Sequence, residues 1–138
     1  MIVHELRERI IEHLSSQTIC VLSTKGDPGS WSMPARYRNA SLDIECLIPH
    51  WADVVCHLEQ NGRVILVIQS GLSSPGCWIQ YLGKARRMSQ GIEPTLFDGF
   101  IKSSRAVHLY EVFRVTPDRI DLVDESRGWG MRENLDLG

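Results

Sequence analysis

Several common activities are excluded by what this sequence lacks. The 138 residues contain no G-x-G-x-x-G fingerprint and no phosphate-loop pattern, so neither of the usual nucleotide cradles is encoded. The four cysteines (Cys20, Cys46, Cys56, Cys77) form no C-x-x-C pair. His50 and His57 would share one face of a helix, but Cys56 would lie on another and no second ligand pair has useful spacing, so no metal site is expected. No Cys/His nucleophile pair is marked either, because any base would have to be guessed. No run approaches the ~20 apolar residues of a membrane span. The opening segment, MIVHELRERIIEHL, is charged and amphipathic and lacks the continuous apolar stretch of a secretory signal. Reduced, mostly buried thiols in a cytoplasm are therefore expected. A net charge of −2 supplies no general attraction to nucleic acid or to an anionic membrane, and neither is expected as a partner. There is no repeat, low-complexity tract or linker.

What remains is an ordinary globular composition, sufficient for one domain over residues 1–138 with a core of its own. Val3, Leu6, Ile10 and Leu14 recur at helical spacing among charged residues and predict an amphipathic helix over 1–16. Thr18–Thr24 is β-branched and apolar, a strand closed by the turn formers of Lys25–Gly29. A second strand is predicted over Trp31–Arg38, with Pro34 marking an edge or bulge because proline cannot donate to a ladder. After a turn at Asn39–Ser41, Leu42–Ile48 alternates as a half-buried third strand that Pro49 ends. A helix is expected to begin at His50, with Trp51, Val54, Val55 and Leu58 on its core face and a left-handed stop at Asn61-Gly62. Val64–Ile68 has no polar alternation and should be covered on both faces.

Leu72–Gly76 reads as a loop and Cys77–Met88 as a long strand, in which Gly83 signals a bulge or a close approach. Ile92 to Ile101 suggests a third helix with Pro94 in its first turn. His108–Val115 and Arg119–Val123 read as two strands of a closing hairpin, and 125–138 as a C-terminal arm. Antiparallel strands joined by turns, with helices between, argue for a mainly β (α+β) fold, a split antiparallel barrel with helices over its openings.

This order resembles the pyridoxamine 5′-phosphate oxidase-like family of flavin-binding split barrels. The matching stretches are CVLSTKGDPGSWSMPARYRN, WADVVCHLEQNGRVILVI, WIQYLGKARRM and FRVTPDRIDLVD, which together cover most of residues 5–124. The resemblance implies a homodimer with two equivalent sites at the subunit interface, holding FMN in most members and haem or a deazaflavin in some. It implies oxidoreductase chemistry on a small molecule, with a binding module that has lost the flavin as the alternative. Pyridoxamine phosphate oxidation itself is not expected, because Tyr37 stands where a lysine would serve the second phosphate.

The candidate cofactor-binding residues are Ser32, Met33, Pro34, Arg36 and Tyr37 on the second strand, and Leu47 and Ile48 on the third. His50 and Trp51 join them at the helix start, Trp78 and Gln80 on the fifth strand, and Trp129 in the arm. A flavin needs cations or amide donors for its phosphate and a flat apolar slot for its ring. Family members place basic residues in the first turn of the helix after the third strand. Here Asp53 and Val54 stand there, and an acid in a first helical turn also complements the macrodipole. Arg36 and Arg38 are the cations that can substitute. Arg86 and Arg87 face opposite ways and read as solvated, and Arg63 as capping or packing. Trp51 reads as core, and Trp129 as either a cover for the neighbouring subunit's site or a dimer staple. No acid or base is assignable.

Overall fold

A computed structural model describes residues 2–25, 30–69, 76–88, 109–128 and 130–138. The strands are β1 (Ile19–Lys25), β2 (Ser30–Ala40), β3 (Asp43–Pro49), β4 (Arg63–Gln69), β5 (Cys77–Arg87), β6 (Tyr110–Asp124) and β7 (Arg132–Asp136). The helices are α1 (Val3–Ser16) and α2 (Asp53–Gln60), with one short 3-10 turn at Glu125–Arg127. All pairings are antiparallel, in the order β3-β2-β1-β4-β5-β6-β7, and β3 also pairs with β6. That last pairing closes β1 to β6 into a six-stranded barrel and leaves β7 as an added strand. The suggested helix over 92–101, the loop residues 72–75, the turn residues 26–29, His108 and Trp129 lie outside the described residues.

Closure depends on β6 being one strand of 15 residues. Its first half pairs with β3, from Tyr110 opposite Pro49 to Val115 opposite Ile44, and its second half pairs with β7. The predicted hairpin at Thr116–Asp118 is therefore corrected: the turn-like residues sit at a bend where the β5–β6 register shifts between Leu82 and Gly83. Pro117 is tolerated at that irregularity, opposite Gly83. A Cβ on Gly83 would stand 2.4 Å from the Thr116 carbonyl oxygen, so the close approach expected of that glycine is present. Tyr81 fixes the same corner, donating its hydroxyl to the carbonyls of Leu42 (2.6 Å) and Val115 (3.1 Å) from a fully buried position.

Other expectations change. The C-terminal arm carries a strand that the sequence did not predict, since β7 belongs to the chain's own sheet, with Leu135 buried opposite Ile120. β4 is covered on one face only: Val64, Leu66 and Ile68 enter the core, while Ile65 is 40% exposed. β3 is buried on both faces, because Arg38 grips the buried Glu45 in a two-oxygen pair at 3.1 and 2.9 Å. Its last residue is Pro49, which ends the strand as expected. The turn before it places Ser41 at φ 57.

Helix α2 begins at Asp53, so His50 and Trp51 precede it and His50 shares no helical face with His57. Trp51 is 74% exposed and is not core. Asn61 ends α2 in an extended conformation rather than a left-handed one. Gly62 is needed for a different reason, because a Cβ there would meet the Ala85 carbonyl at 2.5 Å. The Arg63 side chain, expected to cap or pack, is exposed.

The helices close the two ends of the barrel. α1 inserts Leu6, Ile10 and Leu14 into the core and receives the buried Tyr37 hydroxyl on the Leu14 carbonyl at 2.7 Å, leaving Val3 outside. α2 inserts Val54, Val55 and Leu58 at the other end, where the Trp31 and His57 rings meet at 5.6 Å and Glu59 pairs with Arg87.

One α1 contact carries a pH signature. His13 Nε2 lies 3.3 Å from the Ile68 carbonyl, which can only accept, so Nε2 bears the hydrogen and Nδ1 faces the Cys77 sulfur at 3.9 Å. Burial depresses the His13 pKa, the Ile68 carbonyl opposes that, and Arg9 depresses it further. The folded state thus keeps His13 neutral while the unfolded chain takes up a proton below about pH 6.5. The contribution is full above that pH and is lost as pH falls. Urea titrations should show the unfolding midpoint dropping between about pH 7 and 5, with the drop reduced in His13→Gln. An identical slope in that variant would assign the drop to other groups.

Candidate functional site

Strand parity sorts the candidate residues. Cys20, Leu22, Ala35, Tyr37, Cys46 and Ile48 are buried core residues on the inward side of β1, β2 and β3. Tyr37 and Ile48, two of the candidates, therefore face the barrel interior. Burial raises the Tyr37 pKa, with the neighbouring Cys20 and Cys46 thiols adding to it, so the hydroxyl remains a neutral donor to α1. Contact with the Cys20 thiol, then burial, holds the Cys46 thiol well up as well, so Cys46 is no ionised nucleophile.

The outward side carries Ser32, Pro34 and Arg36 on β2, Leu47 on β3, and Trp78 and Gln80 on β5. Registers link them: Pro34 lies opposite Val21, Arg36 opposite Ile19 and Leu47, Gln80 opposite Val67. Pro34 fits because β3 pairs with β2 only from Arg36 onward, leaving that edge of β2 free at the proline. Ser32 shares a hydrogen bond with Ser23 at 2.9 Å, and Gln80 accepts one from Arg132 at 3.3 Å. Beside Gln80 the buried Asp121 is bracketed by Arg119 at 2.8 Å and Arg132 at 3.6 Å.

Four of the candidates come together. A pocket of about 170 Å³ is lined by Met33, Pro34, Arg36 and Leu47, joined by Ile19, Ala35, Pro49 and Tyr110. The lining side chains are apolar apart from Arg36 and the Tyr110 hydroxyl, a slot suited to a flat ring with one anionic or carbonyl edge. His50 stands next to Pro49 at its border, its Nδ1 at 3.0 Å from the Leu109 carbonyl. That carbonyl requires the hydrogen on Nδ1 and leaves the Nε2 lone pair available. Asp53 is solvent-exposed, so its charge is screened rather than driven into the slot. Trp78 and Gln80 lie across β1 and β4 from this pocket and do not line it.

Sequence reasoning missed Ile19, Ala35, Pro49 and Tyr110. The parity of β1 could have found Ile19, whereas Tyr110 arrives only through the β3–β6 closure. Drug-sized sites run to roughly 300–1,000 Å³, so this pocket is smaller than such a site. The adjoining outward face of β1 and β4 is apolar and open, with Ile19 50%, Val21 44% and Ile65 40% exposed.

Among the described residues no group of three or more metal-ligating side chains occurs, and no helix is long and apolar enough to cross a membrane. No protein-family profile and no curated protein matches the sequence. Solved structures do match in fold. A Clostridium acetobutylicum protein related to general stress protein 26 of B. subtilis, of the pyridoxinephosphate oxidase family, aligns over 99% of this chain and 97% of its own at 12% identity, TM-score 0.78. An FAD-binding protein from Mesorhizobium loti covers 94% and 93% at 13% identity, TM-score 0.64. A haem-binding protein from Mycobacterium smegmatis matches 94% of this chain and 56% of its own at 17% identity, TM-score 0.65. The chain has the pyridoxamine 5′-phosphate oxidase-like split-barrel fold, and at these identities the likeness is one of fold alone.

Proposed function

We propose that this protein is a homodimer that holds FMN where the outward faces of two barrels meet, and that it is a flavin-dependent oxidoreductase acting on a small molecule. The observation that carries this reading is the half-sized apolar pocket with a single guanidinium, set beside an open apolar sheet face. A second copy of the chain seated on that face would bury Val21 and Ile65 and supply the missing walls. The slot of Pro34, Leu47, Pro49 and Tyr110 fits a flavin ring, with Arg36 for its phosphate or its carbonyl edge. Bound flavin supplies hydride and single-electron transfer. The chain's own residues bind the ring, orient it and exclude water, and none of them stands as an acid or base.

FMN added to the purified protein should lose fluorescence saturably. Arg36→Ala should weaken that binding about tenfold, roughly 1.4 kcal/mol, the scale of one charge-assisted hydrogen bond. Equal affinity in the variant would move the anion site elsewhere. A colourless protein that neither quenches FMN nor gains thermal stability from it would overturn the flavin assignment and leave a ligand-binding module of another kind.

His50 favours a second reading, in which haem replaces the flavin. An imidazole whose Nδ1 hydrogen is held by a backbone carbonyl presents a fixed Nε2, as metal-ligating histidines do. The absorbance spectrum of freshly purified protein separates the cases: a Soret band for haem, a blue band for flavin, a shorter-wavelength band for a deazaflavin.

A further inference from the structure

The outward face of the barrel holds a second feature, remote from the pocket's lining. Arg63 on β4 lies directly opposite Lys84 on β5, and two residues along the same face Arg86 lies directly opposite Arg114 on β6. Two like-charge cross-strand pairs thus stand side by side. Directly opposed residues sit roughly 5 Å apart at Cβ, and strand neighbours two residues along about 6.6 Å apart. Because β4 and β6 flank β5 on opposite sides, the four cations form a skewed quadrilateral, with Lys84 and Arg86 at its centre and Arg63 and Arg114 at its far corners.

Compensation is slight. Asp43 bonds Arg114 at 3.0 Å, and Glu45, opposite Arg114, is already engaged by Arg38. Among the described residues no carboxylate pairs with Arg63, Lys84 or Arg86, and all three are exposed. Like charges facing one another across a ladder are destabilising, so the chain carries a cost that packing does not explain. A net charge of −2 makes the concentration of cations at one spot more pronounced.

We infer that this quadrilateral is a binding site for a ligand bearing two or more adjacent phosphates, such as an inorganic or nucleoside di- or triphosphate. Adjacent phosphates place several anionic oxygens within reach of Lys84 and its neighbours Arg63 and Arg86, which matches three uncompensated cations better than a lone phosphate or carboxylate does. Among the described residues the same face shows no aromatic side chain next to these cations on which bases could stack, and the patch is small, which favours a compact polyphosphate over a nucleic acid strand.

The test uses the whole chain in low-salt buffer with pyrophosphate, ADP and, as a control, sulfate. Pyrophosphate and ADP should raise the unfolding temperature more than sulfate does at equal ionic strength. Lys84→Gln should weaken pyrophosphate binding at least ~tenfold, as expected for loss of a charge-assisted contact. Without ligand the same variant should unfold at a temperature equal to or above wild type, because it relieves the Arg63–Lys84 repulsion. Arg86→Gln should repeat the weakening, which guards against a Lys84 variant that folds badly. No stabilisation beyond that by sulfate, or unchanged pyrophosphate affinity in both variants, would overturn the proposal. The outcome is independent of the flavin: a colourless protein with a pyrophosphate shift keeps this site and removes that one, and a yellow protein without the shift does the reverse.

Discussion

Gly83→Ala should lower the stability of this protein by about 3 kcal/mol or more, the upper range of overpacking substitutions. The added methyl would lie 2.4 Å from the Thr116 carbonyl oxygen and 2.9 Å from a Val115 methyl. Neither can retreat cheaply. Thr116 belongs to the backbone of β6 at the register shift, and Val115 is fully buried beside it. The Val115 carbonyl also holds the Tyr81 hydroxyl, so a displaced β6 would strain that bond and the Leu42 contact with it. Because β6 closes the barrel against β3, the damage would spread to both halves of the sheet. Urea unfolding by fluorescence is the measurement, with Gly130→Ala as the comparison. A methyl on Gly130 would meet nothing within 4 Å, but the backbone there has a φ of 77. Its replacement should therefore cost only about 1–2 kcal/mol of backbone strain. Equal midpoints for Gly83→Ala and wild type would mean that β6 can slide at its bend, and the close approach would lose its structural role.

Val21→Asp should split the proposed dimer and, with it, flavin binding. Val21 is 44% exposed at the centre of the outward apolar face, between Pro34 on one side and Val67 on the other. A carboxylate there is solvated in the monomer, so folding should be nearly unaffected. In a two-fold interface the same charge enters from both chains, each desolvated and facing apolar surface. The dimer dissociation constant should rise at least a hundredfold, about 2.8 kcal/mol. Sedimentation or light scattering across a concentration series reads the association, and FMN quenching reads the site. A variant that stays dimeric would place the interface on another face. A variant that becomes monomeric but binds FMN as wild type does would put the whole flavin site within one chain.

The sequence alone was enough for the elements whose signal is local. Val3 to Ser16 reads as a helix because its apolar residues recur at helical spacing, and β1, β2 and β5 read as strands from their composition and turn chemistry. Gly83 was readable as a point of close approach for the same reason: glycine inside a strand needs a local cause. The family resemblance made Arg36 and Pro34 candidates, and both line the pocket; the apolar character of the strand carrying Leu47 was plain.

The rest was set by partners distant in sequence. Thr116-Pro117-Asp118 has the chemistry of a turn, and only the pairing of β6 with β3 on one side and β5 on the other holds it in a single bent strand. β4 looks covered on both faces because Val64–Ile68 are all apolar, but which face meets solvent depends on what stands opposite. Trp51 has the spacing of a core residue if the helix begins at His50, and it becomes exposed because the backbone is still extended at Ala52. The quadrilateral of Arg63, Lys84, Arg86 and Arg114 has no signature in the chain, since its members come from three strands. Periodicity records which side of an element is apolar, whereas register and closure decide which sides meet. The sequence thus determined the barrel's parts, and the tertiary structure decided where its pocket, its open face and its charges lie.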